Sequence, residues 1–182
     1  MALPVGPAAE RGWKDVYVTG HREADMPRHE EEAAPRIVVG VDGSPHADKA
    51  LAWAVRQARL TGARLEVVLA VEVPRTLYEA VRFDPFEGAA KVLDAGIDRA
   101  VGPDGGVTVV PKVLARDPAN ALLDLAEGAD LLVVGSRGLG TFEGALLGSV
   151  SRRCAQHAPC PVVVIRSDGP ESEKGTAPAR EE

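Results

Sequence analysis

Five short apolar runs mark the middle of the chain: Arg36 to Asp42 (RIVVGVD), Ala63 to Val73 (ARLEVVLAVEV), Val107 to Leu114 (VTVVPKVL), Asp130 to Gly135 (DLLVVG) and Pro161 to Arg166 (PVVVIR). Near-continuous stretches of valine and leucine, ended by glycine or a turn, are how strands buried on both faces of a parallel sheet read. Between them apolar residues recur at helical spacing, at Leu51, Ala54, Val55 and Ala58 after Ala47, and at Ala90, Leu93, Ile97 and Val101 within 87–101. Shorter helical segments cover Ala119 to Glu127 and Val150 to Gln156. Strand and helix alternate, which predicts a single doubly wound α/β domain over residues 35–166. Right-handed crossovers then place five parallel strands in the order 3-2-1-4-5, with helices on both faces.

Local punctuation supports these boundaries. Ser44 caps the first helix with Pro45 in its first turn, and Asp117 followed by Pro118 opens the third in the same way. Gly62 and Gly128 end helices, and the run Gly102-Pro103-Asp104-Gly105-Gly106 breaks the second helix from the third strand. Pro111 lies inside the third strand and has no N–H, so that strand is expected at a sheet edge or a bulge. Pro74 to Pro85 is irregular and carries Tyr78 and Phe83. Residues 1–34 keep no period beyond a possible short strand at Trp13 to Val18, and residues 167–182 are rich in Gly, Pro, Ser and Glu. Both ends are expected to be disordered.

The chemistry concentrates after the fourth strand, in LLVVGSRGLGTFEGALLGSVS from Leu131 to Ser151. Glycines let backbone amides approach a ligand closely, and a helix beginning at Ser149 aims unpaired N–H groups at an anion. Arg137, between Gly135 and Gly138, suits a phosphate. Asp42, at the carboxyl end of the first strand, has two readings. It accepts turn amides beside Gly43, or it faces a ligand at the edge where open α/β sheets bind. With strands one and four adjacent, Asp42 and Gly135 flank the topological switch point.

The spacing Gly135-x2-Gly138-x9-Gly148-Ser149, together with the opening Val39-Gly40-Val41-Asp42-Gly43-Ser44, resembles the universal stress protein family in its ATP-binding branch. The resemblance covers the whole domain and implies an adenine nucleotide alpha hydrolase-like fold that binds ATP, with or without Mg2+. It implies that Val41, Gly135, Ser136, Arg137, Gly138, Gly148, Ser149, Val150 and Ser151 hold the nucleotide. Asp42 would reach it near the ribose and a metal, and Val71 would pair its backbone with the adenine edge. Core packing is the alternative role for Val71, and helix capping for Ser149. The chain departs from the family at Arg116, where glycine is usual, which would bring a guanidinium near the nucleotide mouth.

Composition narrows the remaining choices. Of the 27 acidic and 21 basic residues, 15 of each fall within 35–166, so the net charge of −6 sits in the two ends. A neutral domain without clustered Lys and Arg excludes non-specific nucleic-acid binding. No run approaches the roughly 18 apolar residues of a membrane helix, and no basic-then-apolar leader opens the chain, so the expected location is the cytoplasm. Cys154 and Cys160 lack partners at zinc spacing and read as reduced thiols, and His157 reads as a surface residue. An exposed apolar last strand invites pairing with a second copy, so a homodimer through 161–166 is expected, as the resemblance also implies. Three functions remain open: an ATP-binding stress-response or signalling regulator, a slow metal-dependent ATPase using Asp42, and a nucleotide-free structural dimer module. A dinucleotide oxidoreductase fits less well, because G-x-G-x-x-G does not follow the first strand.

Overall fold

The computed structural model describes residues 34–72, 85–140 and 146–166. Nine elements alternate along them: β1 (Arg36–Val41), α1 (Pro45–Thr61), β2 (Arg64–Ala70), α2 (Pro85–Val101), β3 (Val109–Leu114), α3 (Pro118–Ala126), β4 (Leu131–Gly135), α4 (Ser149–His157) and β5 (Val162–Ile165). The strands are parallel and ordered β3-β2-β1-β4-β5, as the pattern predicts. The expectations for residues 1–33, 73–84 and 167–182 lie outside the described residues.

The two sheet faces carry separate cores, because side chains alternate along each strand. On one face Ile37, Val39, Leu65, Val67 and Val133 pack with Leu51, Val55, Leu93 and Ile97 of α1 and α2. On the other, Val38, Val68, Leu132 and Val134 pack with Leu122 and Ala126 of α3 and Cys154 of α4. The helical positions read from sequence, Leu51, Ala54, Val55, Ala58, Ala90, Leu93, Ile97 and Val101, are all buried.

Strands end where their partners end. β2 stops at Ala70, short of the expected Val73, because Leu69 is opposite Val41 and Ala70 is opposite Leu114, the last residues of β1 and β3. Past that point one bond survives, from Val71 N–H to the Leu114 carbonyl at 2.8 Å. Pro111 stands on an edge strand, as expected. The carbonyls of Thr108, just before β3, and of Leu114, its last residue, accept from Leu65 and Val71 N–H, so alternate residues face β2 and Pro111 turns its missing donor outward.

A buried ionic cluster, absent from the sequence reading, joins β1, β2 and β3. Glu66 of β2 is 3% exposed and lies 3.3 Å from Arg36, Arg64 and Lys112. Arg36 also donates to the Leu125 carbonyl at 2.9 Å and to the Glu127 carbonyl at 2.5 Å, at the end of α3. The carboxyl ends of β1 and β4 are left for chemistry.

Candidate functional site

The site begins where β1 runs out. Asp42 accepts the Ser44 N–H on Oδ1 at 3.0 Å, closing a turn that Gly43 completes with φ of 82°. Ser44 is buried and accepts the Ala47 N–H on its hydroxyl at 3.2 Å, so it caps α1 as expected, with Pro45 next. The other Asp42 oxygen accepts the Leu139 N–H at 3.0 Å, across 97 residues of sequence. Asp42 is therefore a tie between the end of β1 and the glycine loop after β4. The turn-amide reading of this residue is met, and the tied carboxylate also lines a cavity.

That loop is pinned at three further points. Gly135 presses against the first turn of α1, where an added β-carbon would lie 2.9 Å from the His46 carbonyl carbon and 3.1 Å from the Ala47 nitrogen. Arg137 donates from Nε to His46 Nε2 at 3.2 Å. The Ser136 carbonyl accepts from Gly148 N–H at 2.8 Å and from the Ser151 hydroxyl at 3.0 Å, which closes the loop onto the start of α4.

Gly148, not Ser149, occupies the N-cap of α4, and no side chain among the described residues caps that helix. The other two helices with described N-caps, α1 and α3, are capped by Ser44 and Asp117. Unpaired N–H groups in a first turn carry about half a positive charge and need an acceptor. Here they open on a cavity.

The cavity encloses about 480 Å³ at the junction of β1 and β4. Its apolar walls include Val68 and Ala70 of β2, Pro118 and Leu122 of α3, and Val134 of β4. Its polar end carries Asp42, Arg137, Gly138 and the start of α4 from Gly148 to Ser151. An apolar compartment joined to an end with free helix amides and a guanidinium suits a ligand that pairs an apolar ring with an anionic group. Gly40 makes room for the wall: a β-carbon there would lie 2.7 Å from Leu122 Cδ1.

Nine of the eleven residues expected from sequence line this cavity: Val41, Asp42, Gly135, Arg137, Gly138, Gly148, Ser149, Val150 and Ser151. Val71 and Ser136 do not. Val71 commits its N–H to Leu114, because the β2–β3 ladder continues one bond past the strand. Ser136 is 3% exposed, with its N–H bonded to Ile165 and its carbonyl to Gly148, so it fastens the loop from within. Ser151 is also inward-facing, its hydroxyl donating to the Ser136 and Gly148 carbonyls. Arg116 is drawn away from the mouth to Asp124 of α3, at 2.6 Å.

Sequence reasoning missed the walls and His46. Gly40, Val68 and Ala70 were accessible from the alternation of their strands, and Pro118 with Leu122 from their spacing of one helical turn. His46 had no such signal, since its partner lies 91 residues away.

The titrating groups near the site divide by environment. Burial, then the positive charges of Arg137 and Lys49, hold His46 below its usual pKa, against an opposing pull from Asp42. Cys154 is fully buried and burial pushes its thiol up to about 11, while burial also raises Cys160, so neither is an activated nucleophile. His157 is exposed at the end of α4, as read. Among the described residues no three potential ligands gather into a metal site, and no helix is long and apolar enough to cross a membrane.

Comparison with known proteins converges on one family. Residues 34–166 match the model described as the universal stress protein family. A Thermus aquaticus universal stress protein is 40% identical over 137 residues, covering 71% of this chain and 97% of that one. A Mycobacterium tuberculosis universal stress protein is 34% identical over 145 residues, covering 72% of this chain, which spans 48% of that longer relative. Among solved structures, a universal stress protein in complex with cAMP shares 30% identity at a TM-score of 0.59, covering 75% of this chain and 99% of its own. The Archaeoglobus fulgidus universal stress protein in complex with dAMP shares 25% identity at a TM-score of 0.56, covering 72% and 97%. With the fold, the cavity position and these matches in agreement, the chain belongs to the universal stress protein family.

Proposed function

We propose that the cavity binds ATP and that nucleotide occupancy regulates this protein's partner interactions in the cytoplasm as part of a stress response. The observation that carries the reading is the uncapped start of α4 meeting Arg137 at one end of an apolar cavity. The base would lie between α3 and the sheet against Val68, Ala70 and Leu122, and the phosphates would accept from the Ser149 to Ser151 turn and from Arg137. Bound cAMP and dAMP in related structures support the adenine assignment.

Binding is favoured over hydrolysis by the state of Asp42. Each of its oxygens already accepts a backbone N–H, from Ser44 and Leu139, which suits a structural tie better than an unencumbered base or metal ligand. Among the described residues no group of three carboxylate, His or Cys ligands gathers to seat Mg2+. Magnesium arriving with ATP would be held mainly by phosphate oxygens, as such ions commonly are.

The protein is further proposed to dimerise through β5. Leu132 and Ser136 take the Pro161 and Ile165 carbonyls, so the alternate residues Val162 and Val164 turn their backbone groups to the outer edge. Val164→Pro removes one outward donor without touching the β4 ladder and should convert a sedimenting dimer to a monomer; a monomeric wild type sinks this part.

The nucleotide reading is tested by chromatography of whatever the freshly purified protein releases and by calorimetric titration with ATP. Micromolar binding that weakens at least tenfold in Arg137→Ala is expected. A protein that releases no adenine nucleotide and takes up none at millimolar ATP overturns it.

A further inference from the structure

His46 is half-buried at the second position of α1, and its main chain meets Gly135 with no side chain between them. This close approach fixes the root of the His46 ring relative to the end of β4, two residues before Arg137. The ring then reaches Arg137, whose Nε donates to Nε2 at 3.2 Å. To accept that bond Nε2 must keep its lone pair, so the ring proton sits on Nδ1 and the imidazole is neutral. The charged groups that face the ring are Arg137 from the β4 loop, Lys49 one turn along α1 and Asp42 from the end of β1. Burial first, and then the two cations, which outweigh the carboxylate, keep the ring an acceptor, as does its place at the positive end of a helix.

We propose that His46 is a positioning residue for the phosphate end of the cavity, holding Arg137 by Nε so that its terminal nitrogens are presented to an anion before one arrives. The inference deepens the nucleotide reading and rests on it. Arginine carries many rotamers, and a guanidinium already tethered on one side loses less freedom when it closes on a phosphate. The Nε bond also leaves the terminal Nη groups, the paired donors that fit phosphate oxygens, uncommitted by His46.

Calorimetric titration of the full chain with ATP and with adenosine separates the possibilities. His46→Ala is expected to weaken ATP about five- to tenfold and leave adenosine unchanged, because only the phosphates read Arg137. His46→Gln, whose amide oxygen can accept from Nε, should recover most of the loss. Adding His46→Ala to Arg137→Ala should cost nothing further, as expected of residues acting through one contact. In parallel, the NMR titration of the His46 ring should move to higher pH in Arg137→Ala. Unchanged ATP affinity in His46→Ala, an equal loss for adenosine, or additive losses in the double variant overturns the positioning role while the nucleotide reading stands. A wild type that binds neither ligand overturns the nucleotide reading and this inference with it.

Discussion

Gly138 stands so close to Asp42 that a β-carbon on the glycine would clash with carboxylate Oδ2. The same oxygen accepts the N–H of Leu139, the next residue, at 3.0 Å. The glycine loop and the first strand are therefore fitted to each other, independently of any ligand.

Gly138→Ala should dislodge the Asp42 side chain and break its bond to Leu139. Because the obstructing atom is the tip of an exposed side chain, the fold loses little, about 1 kcal/mol, the net worth of a hydrogen bond. The loop would lose its anchor, so ATP affinity should fall by more than stability does. Chemical denaturation beside calorimetry checks this; a stability loss with unaltered affinity would contradict it.

Gly135→Ala is the contrasting case. Its β-carbon would meet the main chain of His46 and Ala47 at 2.9 to 3.1 Å, and backbone cannot step aside by rotating a bond. A loss of about 1–3 kcal/mol is expected from forcing β4 and α1 apart. Thermal melting should drop by about 5 °C in consequence. A melting point equal to wild type would show that the contact is more yielding than it looks.

Glu66→Gln should be costly although it does not line the cavity. The buried carboxylate faces Arg36, Arg64 and Lys112, each at 3.3 Å, and its removal leaves three cations gathered around a neutral amide. These cations are partly solvated, so the loss falls toward the low end of the range for broken buried pairs, about 3 kcal/mol. Urea unfolding measures it directly. Nucleotide affinity should be unaffected, since none of these four side chains lines the cavity.

Acid should weaken the fold partly through His46. Its pKa is lowered on folding by burial and by the neighbouring cations Arg137 and Lys49, so the unfolded chain takes up the proton first. The contribution of the neutral ring is then present above the unfolded value of about 6.5 and is lost as pH falls through it toward the lower folded value. His46→Gln should flatten this part of the profile as pH falls below about 6.5. Denaturant midpoints for both proteins test the difference, and parallel profiles would remove His46 from the acid response.

Much of the domain was legible because its signals are local. Valine runs, the caps Ser44 and Asp117, and the terminating Gly62 act within a few residues of themselves, and each appears where expected. The strand order followed from counting crossovers of one hand. Even the site's place was legible, because Asp42 and Gly135 had to meet once β1 and β4 were neighbours.

What the chain's own order of residues determined is thus its alternating elements, its two apolar faces and the edge at which a ligand would sit. Only the tertiary structure decided how polar groups were shared out there. Val71 gives its amide to Leu114 because β3 happens to reach that far, and Ser136 is drawn inside by Ile165 and Gly148. Arg137 finds His46, and Asp42 finds Leu139, across more than ninety residues. Periodicity is a property of single elements, whereas a hydrogen bond between two strand ends depends on register, element length and the competing partners that packing brings within reach.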